Sequence, residues 1–254
     1  MGKWDAESVA DKPYVLKSLV YGHKKTGKTI MAAMMTDNPL LVACDSGWTS
    51  LKDWPELHHV RVLEYGGVHW FREFALAVKN KDPEFAGYDN IIIDPVSRIV
   101  YDYVDWLVSG FGVDRADSRV HYVPSSEAKK AGEKEFATSG MNDYNAAVQK
   151  MRPEIMKLSL APQDITYIAH VKDPSFTNPS DKSIKPNMPA SLYSLLSKEV
   201  GIIGHMEAEG DKRTVSMRPG SNVEAGSWIR ALQGKKVNAE EFPKMLRLWK
   251  EGRL

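Results

Sequence analysis

The residues best equipped for chemistry lie early in the chain, in the run Gly22-His23-Lys24-Lys25-Thr26-Gly27-Lys28-Thr29. Two glycines four residues apart, followed by Lys and Thr, form a loop whose backbone N–H groups can turn inward around phosphate oxygens, at a helix start whose dipole favours negative charge. Lys28 can reach the β- and γ-phosphates, and the Thr29 hydroxyl can bind Mg²⁺, a cation that takes six oxygen ligands and keeps several waters. The chemistry expected of this loop is the binding of ATP or a close relative with Mg²⁺. Asp94 closes the run Asn90-Ile91-Ile92-Ile93-Asp94 and suits the carboxylate that orients Mg²⁺ and its water. It is equally placed to cap the following helix through Asp94-Pro95, and the two roles are compatible. His170 ends a further apolar run and reads either as a satisfied structural histidine or as a reporter of the γ-phosphate to the segment after it. Asp45 reads either as the start of the turn Asp45-Ser46-Gly47 or as the carboxylate that positions an attacking water.

The elements that must hold these groups are legible around them. The β-rich stretch from Tyr14 to Tyr21 precedes the glycine loop, and Thr29–Met35 after it is rich in helix formers, giving strand, loop and helix in the order the chemistry needs. Leu40–Cys44 and Val60–Leu63 read as buried parallel strands ending at turn residues. Val68, Phe71, Ala75 and Val78 recur at helical spacing, Ile91–Ile93 is the most apolar strand, and Ile99–Val108 reads as helix. Residues 110–140 are polar and poorly periodic, an insertion. Asn142–Leu160 reads as a long amphipathic helix, followed by the strand Ile165–Ala169. Four prolines interrupt residues 172–190, which read as a long loop. A hairpin follows, Val200–Met206 and Arg213–Met217 about Glu209-Gly210-Asp211. The organisation expected is an arm over 1–13, a core over 14–220, and a polar tail over 221–254 with a short helix that packs on its own domain or docks a partner. Strands alternating with helices define an α/β fold with a mostly parallel sheet flanked by helices and a C-terminal β-hairpin.

Bulk properties exclude several classes. A net charge of +1 over 254 residues leaves no global basic excess, so any polyanion surface must be a local patch. A single cysteine, Cys44, rules out an internal disulfide and a multi-cysteine zinc site, and points to a reducing, cytoplasmic setting. No run of about 18 apolar residues exists, so a transmembrane helix and a membrane partner are not expected.

With Lys28, Asp94 and His170 in this order on successive strands, the chain resembles the phage RecA-like P-loop ATPases, a phage nucleotide-binding AAA family that includes recombinases and single-strand-annealing proteins. The likeness spans roughly residues 14–220. It also rests on Leu41-Val42-Ala43-Cys44-Asp45-Ser46-Gly47, on Asn142-Asp143-Tyr144 opening a helix, and on Ile165–Lys172. The resemblance implies a RecA-like core with the His170 strand between the glycine-loop strand and the Asp94 strand. It implies rings or filaments with ATP at the interface and a cation supplied in trans, for which Arg218 matches the region best and Lys212 and Arg213 compete. The location implied is cytoplasmic, the host's if the chain is phage-encoded. Single-stranded DNA is the implied partner, with Lys172, Lys182 and Lys185 in the post-His170 loop and Lys129, Lys130 and Lys134 in the insertion as candidate contacts. Asp173, Asp181, Glu127, Glu133 and Glu135 dilute both patches. One departure stands out: such enzymes usually carry a glutamate directly after the aspartate of the second strand, and here that residue is Ser46. Either Asp45 or Glu64 replaces it as catalytic base, or hydrolysis is slow and the nucleotide acts as an assembly switch. A small-molecule kinase would use the same loop but normally needs an arginine-bearing lid, and the long loop holds no arginine.

Overall fold

A computed structural model describes residues 14–108, 141–172, 184–220 and 222–254. The expected insertion over 110–140, with Lys129, Lys130 and Lys134, lies outside the described residues, as do the arm over 1–13 and Lys182 of the long loop.

Five strands run parallel: β1 (Lys17–Gly22), β2 (Pro39–Ala43), β3 (Arg61–Glu64), β4 (Asn90–Asp94) and β5 (Asp164–His170). With β6 (Ile202–Glu209), β7 (Lys212–Ser216), β8 (Gly226–Ser227) and β9 (Lys236–Asn238) they form one sheet, ordered β3-β2-β4-β5-β1-β6-β7-β9 with β8 on β6. β6 also runs parallel to β1, and the hairpin partner β7 turns the sheet antiparallel. β5, which ends in His170, lies between β4 and β1, as the resemblance implied.

The central strands are buried on both faces, and the period of two along them divides their side chains between two cores. Leu19 and Tyr21 of β1, Ile91 and Ile93 of β4, and Ile165 and Tyr167 of β5 face one core. That core is closed by the helices α2 (Val68–Lys79), α3 (Val96–Val108), α4 (Met141–Ser159) and α5 (Ala190–Glu199). Val20, Leu41, Ile92 and Ile168 face the other, closed by α1 (Lys28–Ala33) and α6 (Phe242–Lys250). Each fully buried isoleucine of β4 contributes about 1.5–3 kcal/mol of burial, which makes this strand a rigid support for Asp94 at its end. A buried polar chain ties the strands at mid-sheet: the Ser18 hydroxyl donates to Thr166, Thr166 donates to Asn90, and the Asn90 amide meets the Ala32 carbonyl of α1.

The structure corrects some expectations and completes others. β3 is an edge strand with mostly exposed side chains rather than a buried one. The expected loop ends at Pro189, one residue early, and residues 190–199, to which the sequence reading otherwise assigned no element, form α5, because the prolines stop there and Leu192 and Leu196 bury one helical face. α3 begins at Val96, and the Asp94 carboxylate accepts from the Thr29 hydroxyl instead of capping that helix. Of the two readings of the tail, packing on its own domain is the one observed: β9 pairs with β7, and Phe242 and Leu246 of α6 are buried in the second core.

Candidate functional site

Parallel register brings the ends of β2, β4, β5 and β1 to one edge of the sheet, where ligands bind in folds of this type. Ala43 is level with Asp94, and Gly22 is level with both His170 and Met206. Only glycine fits at position 22, since a Cβ there would stand 2.3 Å from the Met206 carbonyl oxygen. The chain then turns through Lys25 (φ 64°) and Gly27 (φ 90°) into α1. This left-handed passage, natural for glycine and costly for lysine, curls the loop back over the strand ends.

Lys28 is buried. Its ammonium donates to the carbonyls of Gly22 (3.0 Å) and His23 (2.7 Å) and approaches the Thr26 hydroxyl (3.5 Å). Burial lowers its pKa to about 8, against the pull of Asp94 and Asp45. Asp94, 7% exposed, accepts from the Thr29 hydroxyl at 2.5 Å. Its pKa rises to about 6: burial is the main cause, the Thr29 hydrogen bond opposes it, Asp45 adds to it and Lys28 opposes it. Asp45 caps the 3-10 turn Ser46–Asp53, accepting from the Gly47 amide at 2.7 Å. It also lines the cleft around the glycine loop.

Around the loop opens a cleft of about 560 Å³ lined by Lys24, Lys25, Gly27, Lys28, Thr29, Asp45, Asp94, His170 and Arg213, among others. A second, of about 620 Å³, shares Lys24, Asp45 and His170 with it and continues past Arg98, Tyr101 and Asn187. Most of the residues singled out in the sequence thus meet at one place. Glu64 closes the exposed edge strand, level with Ala43 and outside both linings. Arg218 is exposed beyond the hairpin, whereas Arg213, ranked behind it in the sequence, reaches the loop. No pattern along the chain could have chosen between them, because the choice depends on β7 lying two strands from β1.

The donor set fits a magnesium nucleotide. The Lys28 ammonium spends its hydrogen bonds on loop carbonyls at the place where a phosphate would replace them, and Thr29 and Asp94 offer two hard oxygens side by side. Among the described residues no group of three His, Cys, Asp or Glu could hold a metal by itself. Thr29 and Asp94 together suit Mg²⁺, which completes its shell with substrate phosphates and water. When bound, the ion would neutralise phosphate charge.

A loop of this sequence, between a parallel strand and a helix and facing an aspartate at the end of a neighbouring strand, defines a P-loop nucleotide-binding protein. Residues 15–228 match the family described as an AAA domain, and the chain belongs to that family. It is therefore an ATPase-type nucleotide-binding protein. No curated protein matches the chain. Among the described residues no helix is long and apolar enough to cross a membrane.

Proposed function

We propose that the chain is an ATP-hydrolysing DNA-recombination or strand-annealing protein that acts as an oligomer on single-stranded DNA. The observation that carries this reading is the anchoring of the post-His170 segment at the cleft. The Lys172 amide donates to the Lys185 carbonyl at 2.9 Å, and the Asn187 amide donates to the His170 carbonyl at 2.6 Å. Val171 bridges Pro186. Both ends of the segment, each bearing a lysine, are pinned to the end of β5 at the rim that His170 lines. A nucleotide held there is one strand end away from cations able to track a phosphate backbone.

In this reading Lys28 and the loop amides hold the γ-phosphate, Thr29 and Asp94 would hold a Mg²⁺ that offsets its charge, and a water oriented by Asp45 attacks the phosphorus, its proton passing to the released phosphate as the bond to the bridging oxygen breaks and ADP leaves. His170 senses the γ-phosphate. Arg218, exposed beyond the hairpin, serves the neighbouring subunit of a ring or filament. Hydrolysis is measured with and without single-stranded DNA at low and raised salt. Stimulation that fades as salt rises is the expected result.

Ser46 supports a second reading, a nucleotide-gated loader or assembly module. The carboxylates lining the phosphate cleft are Asp45 and Asp94; Asp45 is engaged by the Gly47 amide and Asp94 by Thr29. Tight nucleotide binding with hydrolysis absent, or indifferent to DNA, would favour this second reading over the first.

A further inference from the structure

Arg213 lies on β7, separated from β1 only by β6. Its side chain passes over β6 to the glycine loop of the same chain. Its Cδ is 3.3 Å and its Nε 3.5 Å from where a Cβ on Gly27 would stand, with the Met206 Cε 3.6 Å from the same point. The residue is only half-buried, yet its Nε is sealed from water and has no hydrogen-bond partner among the described residues. None of the carboxylates of the described residues pairs with it, although Lys236 on the adjoining strand takes Glu207. A buried N–H without an acceptor is unfavourable, and the residue that carries it lines a cleft whose other cations are Lys24, Lys25 and Lys28. Gly27 bears no side chain to separate this guanidinium from the loop, and the contact depends on that absence.

We propose that Arg213 is a phosphate-contacting residue supplied in cis, binding the polyphosphate of a nucleoside di- or triphosphate held by the glycine loop of its own chain. The proposal rests on the phosphate-site reading of that loop. The guanidinium fork is suited to phosphate oxygens in a way a lysine is not. Because the Ala239 amide donates to the Arg213 carbonyl at 3.0 Å, the residue that meets the nucleotide is also tied to the segment leading from β9 into α6. Arg213 and Arg218 then have separate tasks, one within the subunit and one between subunits.

The test is fluorescent ATP and ADP titration, with Mg²⁺, of the wild-type chain and the Lys28→Ala, Arg213→Ala, Arg213→Gln and Arg213→Lys variants. Losing a charge-assisted hydrogen bond should weaken binding roughly 10- to 100-fold in Arg213→Ala and Arg213→Gln, with partial recovery in Arg213→Lys and unchanged thermal midpoints. Wild-type affinity in Arg213→Ala, with binding lost in Lys28→Ala, would overturn this inference alone. Wild-type affinity in Lys28→Ala would overturn the reading of the loop on which it rests. An equimolar mixture of Lys28→Ala and Arg213→Ala chains separates cis from trans: sites of wild-type affinity appearing in the mixture would place the arginine on a neighbouring subunit. The wild-type chain supplies a check that needs no variant. Phenylglyoxal labelling of Arg213, followed by mass spectrometry, should slow when ADP or ATP is added while labelling of Arg230 does not; equal rates with and without nucleotide would overturn the contact.

Discussion

Two lysines are buried at opposite ends of the parallel sheet, and they are chemically near twins. Lys17 opens β1, and Lys28 follows the loop at its far end. Each is under a tenth exposed, and each donates to two backbone carbonyls: Lys17 to Ala161 at 2.9 Å and Gln163 at 2.5 Å, Lys28 to Gly22 and His23. Both have a buried aspartate near by, and burial lowers both to a pKa of about 8. The difference lies in what the aspartates do. Asp164 is fully engaged, accepting from the Leu16 amide at 2.8 Å and pairing with Lys250 of α6. Asp94 has one hydroxyl partner in the described chain and sits at a cleft. A shifted pKa therefore marks burial at both ends, and it is the open coordination at one of them that singles it out as the candidate site.

The largest effect expected from this contrast is at Lys28. Lys28→Ala should abolish nucleotide binding and turnover, to below about 1% of wild type, because a charge aimed at phosphate is lost. Its fold should survive, since the ammonium contacts the loop rather than the core. The paired readings are isotherms and circular dichroism on one sample. Undiminished ATPase activity in this variant would show that the phosphate site lies elsewhere.

Lys17→Ala should behave in the opposite way. Removing it leaves the Ala161 and Gln163 carbonyls without their donor and withdraws a charge from beside Asp164. A loss of about 2–4 kcal/mol is expected, visible as a lower urea midpoint, with nucleotide affinity kept within a few-fold of wild type. If affinity fell with stability unchanged, the two lysines could not be divided into a structural and a phosphate-binding one.

That division was half legible in the sequence. Lys28 stands in a spaced pattern whose strand and helix can be read on either side, and Asp94 follows three isoleucines that fit only a buried strand. Lys17 carries no such mark: it reads as one polar residue in a β-rich run, and its role arises from Ala161 and Gln163, 144 and 146 residues away. α2 was legible to its ends because apolar residues recur along it at helical spacing. α5 was hidden by the prolines and serines before it, whereas α6 is the short helix expected in the tail, and the sequence left open only what it packs against, which Phe242 and Leu246 decide by their burial. Arg213 became prominent only through strand order, a long-range property that local patterns do not encode.

Asp94 supplies the finest test, because its environment sets opposite demands for the empty and the loaded site. With its pKa raised to about 6 from an ordinary 3.8, the folded chain keeps a proton between those values that the unfolded chain has released. Stability from this group is therefore fully present below about pH 4 and is lost as pH rises through 6, a loss of about 3 kcal/mol by neutral pH. Asp94→Asn, which keeps an acceptor for Thr29 but cannot ionise, should not suffer this loss. Without nucleotide it should melt above the wild-type chain at pH 7.5, with the difference shrinking towards pH 4. Added Mg²⁺ and nucleotide should reverse the order at pH 7.5, because the ionised carboxylate that burdens the empty site is the one the cation needs. Parallel melting profiles for the two chains from pH 4 to 7.5, with no reversal on adding Mg²⁺ and nucleotide, would mean that Asp94 is as settled a structural residue as Asp164.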